Sequence, residues 1–302
     1  MKHLMAFCVV ISLLLLSCTH VSDLDPDQFL LPEVELTDGF CLVSDGGVIL
    51  NHHDIEYYAY SVHLVYFKDH VSFAEDIVES GFNAVYAGGE KIYMVERMNA
   101  YDSYLPGGPM VWNQSMYEDY VMQIDLLRPR HPDDPVDPRL DPRVEEALKK
   151  YSQFHAGLAC EIVAVRSSEP GHVGLELELK NEDSFDYCFL DPDKMGPGLF
   201  HYYTNGLTLR DVSMESFTHQ TEVIHPDPWD SWDTAWLSVI ESGETVSRTI
   251  SYTDFDPLPP GAYTALFRFP GLCHNVQKED LEQTGGRLWL GDLDLQQLLI
   301  VE

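Results

Sequence analysis

The residues best suited to recognition chemistry lie between Asp211 and Ser247. This stretch holds eight acidic residues, no lysine or arginine, and three of the five tryptophans, Trp229, Trp232 and Trp236. Asp227, Asp230 and Asp233 are interleaved with the indoles, and His225-Pro226-Asp227-Pro228 leads into them. An indole offers area, rigidity and a face for cations, and neighbouring carboxylates add to the attraction for positive charge. Those six residues form a candidate binding surface. The competing expectation is that two or three of the tryptophans are core residues and the carboxylates decorate a loop.

Other constellations are weaker. His52-His53-Asp54, with Glu56 beyond, brings imidazoles and carboxylates close together. Zinc needs three or four converging ligands, whereas adjacent histidines on a strand point to opposite faces, so a polar loop is expected and no metal is assigned. Asp23, Asp25 and Asp27 alternate like the start of a calcium loop, but the glycine and the closing glutamate do not follow. Gly107-Gly108-Pro109-Met110-Val111-Trp112 lacks the lysine and trailing helix of a phosphate loop and reads as a turn into a strand. Gly-x-Ser-x-Gly, His-Glu-x-x-His and Cys-x-x-Cys are all absent. No catalytic residue and no cofactor is assigned.

The N-terminus supplies an address. Lys2 precedes an apolar run of 13 residues, Leu4 to Leu16, which is short for a membrane span of ~20 residues. A basic start, a short apolar middle and a small residue near the end make a secretory signal over residues 1–17. Leu15-Leu16-Ser17-Cys18 resembles the lipobox of bacterial lipoproteins, although Leu16 stands where a smaller residue is usual. The resemblance implies lipidation of Cys18 and attachment to a membrane through the N-terminal lipid. Thr19 is unlike the aspartate associated with inner-membrane retention, which implies the outer membrane. Residues 18–38, rich in acid and free of lysine and arginine, read as an extended tether. Export leaves Cys41, Cys160, Cys188 and Cys273 in an oxidising compartment, where Cys41–Cys160 and Cys188–Cys273 are the favoured of three disulfide connectivities; free buried thiols are the competing expectation.

Composition narrows the partners. Fifty acidic against 18 basic residues give a formal net charge of −32. Such a chain repels nucleic acid, because binding there depends on neutralising phosphates. It favours solubility and fast encounter with a cationic protein; the competing expectation is a solvated acidic surface with no partner.

The elements that must position these residues follow from periodicity and turn chemistry. Residues 39–157 read as a small α+β domain. Glu56 to Phe67 suits a strand, rich in tyrosine, valine and phenylalanine. Ser72 and Glu75 form a capping box before a helix that Gly81 ends. Asn83 to Tyr86 and Lys91 to Glu96 flank the hairpin turn Gly88-Gly89. Tyr120 to Leu127 is a further strand. Arg128 to Arg143 carries repeated Asp-Pro steps, the last of which, Asp141-Pro142, starts a helix. Val144, Leu148, Tyr151 and Phe154 lie on one face of that helix, and Gly157 ends it. From Leu158 onward strands alternate with turns. In Val173 to Lys180, Val173, Leu175, Leu177 and Leu179 face one way, Glu176 and Glu178 the other. Trp236 to Ile240, Val246 to Tyr252, Ala262 to Phe269 and Leu298 to Val301 continue the pattern.

Leu175-Glu176-Leu177-Glu178-Leu179-Lys180-Asn181, Ile240-Glu241-Ser242-Gly243-Glu244 and Leu258-Pro259-Pro260-Gly261-Ala262-Tyr263 resemble, in type and order, the immunoglobulin-like sandwiches of secreted bacterial proteins, including proteinase-inhibitor-like and metallopeptidase-associated modules. The resemblance covers residues 158–302 and implies an all-β sandwich there, with no activity attached. The expected protein is a non-enzymatic envelope lipoprotein, a protein-binding or inhibitor/immunity-type module. The alternative is an envelope hydrolase acting on polysaccharide or peptide through residues 39–157.

Overall fold

The computed structural model describes residues 37–44, 47–79, 81, 83–104, 106–126 and 136–301. The signal, Cys18 and the Asp23–Asp27 alternation lie outside them. The described residues belong to one compact unit.

Strands are numbered in chain order. One antiparallel sheet runs β2 (Gly47–Leu50), β1 (Phe40–Ser44), β5 (Ala84–Ala87), β6 (Glu90–Met94). A second runs β10 (Phe154–His155), β3 (Ile55–Ala59), β4 (Leu64–Phe67), β9 (Val121–Gln123). The short pair β7 (Glu96–Met98) and β8 (Met110–Trp112) is parallel. Beyond it, β11 (Leu158–Glu169), β12 (His172–Asn181) and β17 (Thr245–Tyr252) make a three-stranded sheet. A fourth sheet has the order β16 (Leu237–Ile240), β13 (Tyr187–Leu190), β20 (Gly286–Leu288), β19 (Glu282–Gln283). The last has the order β15 (Ser216–Thr218), β14 (Thr208–Asp211), β18 (Gly261–Phe269), β21 (Leu293–Val301). The α-helices among the described residues are α1 (Pro142–Lys150), α2 (Pro192–Met195) and α3 (Pro197–Thr204).

The sheet β10-β3-β4-β9 is a wall between two cores. Strand alternation sends Tyr57, Ala59, Leu64, Tyr66 and Val121 into the core built by residues 158–293. Tyr58, Val65, Phe67 and Met122 enter the other core, with Phe40, Leu42, Val85 and Leu148. Both faces are apolar, as a sheet covered on two sides requires.

This architecture corrects the expected fold class. Among the described residues strand accounts for 44% and helix for 14%, and the first half is not a sizeable α+β domain. The run Glu56 to Phe67 is a hairpin, not one strand: it turns at residues 60–63, with His63 at φ 53° and no glycine to announce it. Ser72 does cap a helix, accepting from the Glu75 amide at 3.0 Å, but the helix is a six-residue π-type segment, Phe73–Val78. Asp76, not Glu75, completes the cap by accepting from the Ser72 amide at 2.8 Å. Helix α1 starts as expected, with Asp141 accepting from the Arg143 amide at 2.9 Å, but it stops at Lys150 so that Phe154–His155 can pair with β3.

Nor does the second half form the immunoglobulin-like sandwich that the sequence predicts. Residues 158–301 distribute over three sheets rather than two, and β13 pairs with β20 in parallel. Helices α2 and α3 interrupt the strand succession, and the core is completed by tyrosines of β3 and β4.

The expected disulfides are absent. Cys41, Cys160, Cys188 and Cys273 are free thiols, placed on β1, β11, β13 and the segment after β18. Thr37 Oγ1 lies 3.0 Å from the Cys41 sulfur. Burial, reinforced by nearby carboxylates, pushes Cys160 and Cys273 up to about 12, which leaves them unreactive thiols at neutral pH.

Polar groups bind the first half to the second beside the wall. Asp183 accepts from His155 Nδ1 at 2.8 Å, the Tyr187 hydroxyl at 2.7 Å and the Gly157 amide at 3.2 Å. Burial opposes its ionisation, yet the bonds from His155 and Tyr187 overcome that and hold the carboxyl at about 2. Phe185 stacks on His155 at 4.0 Å, and the Arg287 guanidinium sits 4.2 Å from the Tyr57 ring centroid.

Candidate functional site

Residues 219–233 cross the surface between β15 and the short 3-10 helix Thr234–Trp236; His219 makes an isolated bridge to Phe255 and the Gln220 amide donates to the Asp254 carbonyl at 3.1 Å, and beyond them the segment has no regular structure. The backbone of this strap is fastened at discrete points. The Ile224 amide donates to the Gly198 carbonyl at 3.0 Å, on α3. A side chain at position 198 would meet Ile224 at 2.8 Å, so the glycine permits the approach. Tyr202 and Tyr203, also on α3, donate through their hydroxyls to the carbonyls of Trp229 (2.9 Å) and Ser231 (3.1 Å). The Ser231 amide and hydroxyl both donate to the Pro228 carbonyl, at 2.9 and 2.7 Å, closing a tight turn under Trp229.

The three tryptophans separate by environment. Trp229 is 58% exposed, its ring edge-on to His274 at 5.3 Å. Trp232 and Trp236 are half-buried against the second core. Trp232 donates from Nε1 to the Asn275 carbonyl at 3.1 Å, and Trp236 lies 6.3 Å from the Tyr203 ring. The carboxylates also divide. Asp227 is exposed, whereas Asp230 accepts from Asn275 at 3.4 Å and Asp233 caps the Thr234–Trp236 helix by accepting from the Ala235 amide at 2.8 Å. Of the six expected surface residues, Trp229 and Asp227 face water without a structural task, and the rest hold the strap down.

Around Trp229 the surface continues through Ile224 (58% exposed), Val223 and His225, which meets Tyr202 edge-on at 5.0 Å. His225 belongs to the motif that leads into the tryptophans, whereas Tyr202, His274 and Asn275 carry no mark of a site in the sequence. His274 and Asn275 come from the segment after β18, far along the chain, and no local pattern marks them. Helix α2, which leads through Gly196 into α3, carries one signal in the sequence: like Asp141-Pro142, Asp191-Pro192 opens a helix by placing an acceptor before a first-turn proline.

The His52-His53-Asp54 constellation resolves into packing. His52 stacks on Tyr151 at 3.7 Å, and Asp54 pairs with His70 at 3.1 Å. Asp54, His70 and Asp76 line a shallow cleft of about 490 Å³, but Asp54 and Asp76 accept from the Asn51 and Ser72 amides. Among the described residues, no group of three or more histidine, cysteine or carboxylate side chains is placed to hold a metal ion. Gly107 to Trp112 is a turn into β8, as expected.

Comparisons with known proteins add little. No family model matches the chain, and no curated protein does. Among solved structures, the YjhA protein of Bacillus subtilis aligns with 14% identity over 47% of this chain and 92% of its own length, with a TM-score of 0.24.

Proposed function

We propose that this protein is a non-enzymatic binding module of the bacterial cell envelope, lipid-anchored through Cys18, that engages a basic partner protein through the Trp229 surface. An inhibitor or immunity-type role is the form of binding that such a charge suits. The observation that carries the reading is Trp229 itself. A large indole stands 58% exposed on a strap whose backbone is pinned from α3, in a stretch with no lysine or arginine to neutralise its carboxylates. Exposed aromatic side chains held rigid recur as binding anchors, because little side-chain entropy is lost when a partner covers them. The chain's charge of −32 supplies attraction at longer range.

Panning a display library of lysine- and arginine-rich peptides against the purified protein tests this. Basic, aromatic-tolerant sequences should be enriched, should bind Trp229→Ala at least tenfold more weakly, and should weaken as salt rises. Binding that Trp229→Ala retains in full would remove the assigned surface. For the anchor, radiolabelled palmitate should enter the wild type and not Cys18→Ser.

A further inference from the structure

The strap leaves β15 at His219, and there the structure holds an unusual pair. His201, on α3, is 1% exposed, and its ring stacks on His219 with centroids 4.2 Å apart and planes 28° from parallel. Tyr252 of β17 covers both rings, 5.2 Å from each. His201 Nε2 and His219 Nδ1 are buried without a hydrogen-bond partner. The remaining nitrogens meet weak contacts: His201 Nδ1 lies 3.4 Å from Thr204 Oγ1, and His219 Nε2 lies 3.4 Å from the Asn205 carbonyl. Gly206, at φ 71°, admits the ring of His219; a Cβ there would stand 2.0 Å from its Nε2.

We propose that the His201–His219 stack is an acid-operated latch at the root of the strap, so that protonation expels His219, frees residues 219–233 and withdraws the Trp229 surface. The regulatory half of this inference rests on the binding role given to Trp229; the opening itself does not. Two imidazolium rings cannot stay stacked at this separation in a buried site, because like charges repel more strongly where water is excluded. Burial, then the charge of His219, hold His201 down to about 4, against an ordinary value of 6.5. The opposing attraction comes from Asp254, which is already bound by the Thr221 hydroxyl at 3.2 Å. Tyr252 faces the pair from β17 as a neutral phenol, its hydroxyl accepting from the Leu207 amide at 3.1 Å. Asp256 faces the strap root rather than the rings, accepting from the Thr218 amide at 2.8 Å and from Gln220 at 3.3 Å. The sign follows. An opened His201 takes a proton near its ordinary value and a closed one resists it, so acid favours opening between about 6.5 and about 4. Between neutrality and pH 5 the shift amounts to roughly twentyfold in the opening equilibrium.

Hydrogen exchange of the full chain, read by mass spectrometry at neutral pH and at pH 5 and corrected for intrinsic rates, tests the latch with no partner present. Amides protected within residues 216–236 should exchange roughly twentyfold faster in acid, while β11, β12 and β17 keep their protection. In His201→Phe, which keeps an aromatic ring in the stack and cannot charge, that step should vanish. Unchanged exchange of residues 216–236 in the wild type, or an equal rise across the whole chain, would overturn the proposal whether or not the variant folds. Peptide binding to Trp229 that persists at pH 5 alongside local opening would break only the link to recognition.

Discussion

Around Asp183, a carboxylate, a histidine and aromatic rings meet inside the protein; around Trp229 the same residue types meet at its surface. In the first, every oxygen of the carboxylate is bonded, His155 is clasped between Asp183 and Phe185, and Arg287 lies against Tyr57. In the second, the bonds run to the backbone of the strap, and the indole and the Asp227 carboxylate are left to solvent. Residue type therefore does not separate a structural cluster from a recognition surface. What separates them is whether the polar groups are used up within the fold.

The sharpest break of that contrast is Asp183→Ala. It strands the His155 nitrogen, the Tyr187 hydroxyl and the Gly157 amide, and should cost about 3 kcal/mol of stability in denaturant unfolding. Acid attacks the same point. A carboxyl held at about 2 against an ordinary 3.8 adds stability that is fully present above that ordinary value and is lost as pH falls through about 2. Acid titration of the unfolding free energy should show a loss of about 2 kcal/mol across that window, missing from Asp183→Asn. Next comes Trp232→Ala, which removes a half-buried ring and its bond to Asn275 and should cost about 2 kcal/mol by thermal unfolding. Trp229→Ala should change stability by no more than about 0.5 kcal/mol while binding of basic peptides falls at least tenfold. The smallest effect belongs to Asp227→Asn, whose exposed carboxylate should alter only the salt dependence and the association rate of that binding. If Trp229→Ala proved as destabilising as Trp232→Ala, the contrast between the two clusters would be lost.

How far each element could be read depends on the range of the interactions that make it. The Gly88-Gly89 hairpin, the Asp141-Pro142 helix start and the alternation of β12 are local, so a few neighbouring residues specify them. The turn at residues 60–63 was missed because no glycine marks it; pairing between β3 and β4, and their burial on both faces, impose it. The two-domain reading with an immunoglobulin-like second half placed a boundary near residue 157. The second core also takes Tyr57, Leu64 and Tyr66 from the first half of the chain, a dependence that no local composition shift encodes. At the candidate site, the acidic tryptophan stretch was visible as a stretch. Which indole faces water was not, because that depends on α3 and on the segment bearing His274 and Asn275.

Charge, the lack of known catalytic motifs, the helix starts and the strand periodicities were set by residue identity and near-neighbour sterics, and a linear reading recovers them. The roles of Trp229, Asp183 and the His201–His219 pair came from contacts between residues distant in the chain. Burial and hydrogen-bond satisfaction are properties of what surrounds a group in space, and they determine whether a carboxylate anchors the fold, a histidine resists a proton or an indole waits for a partner.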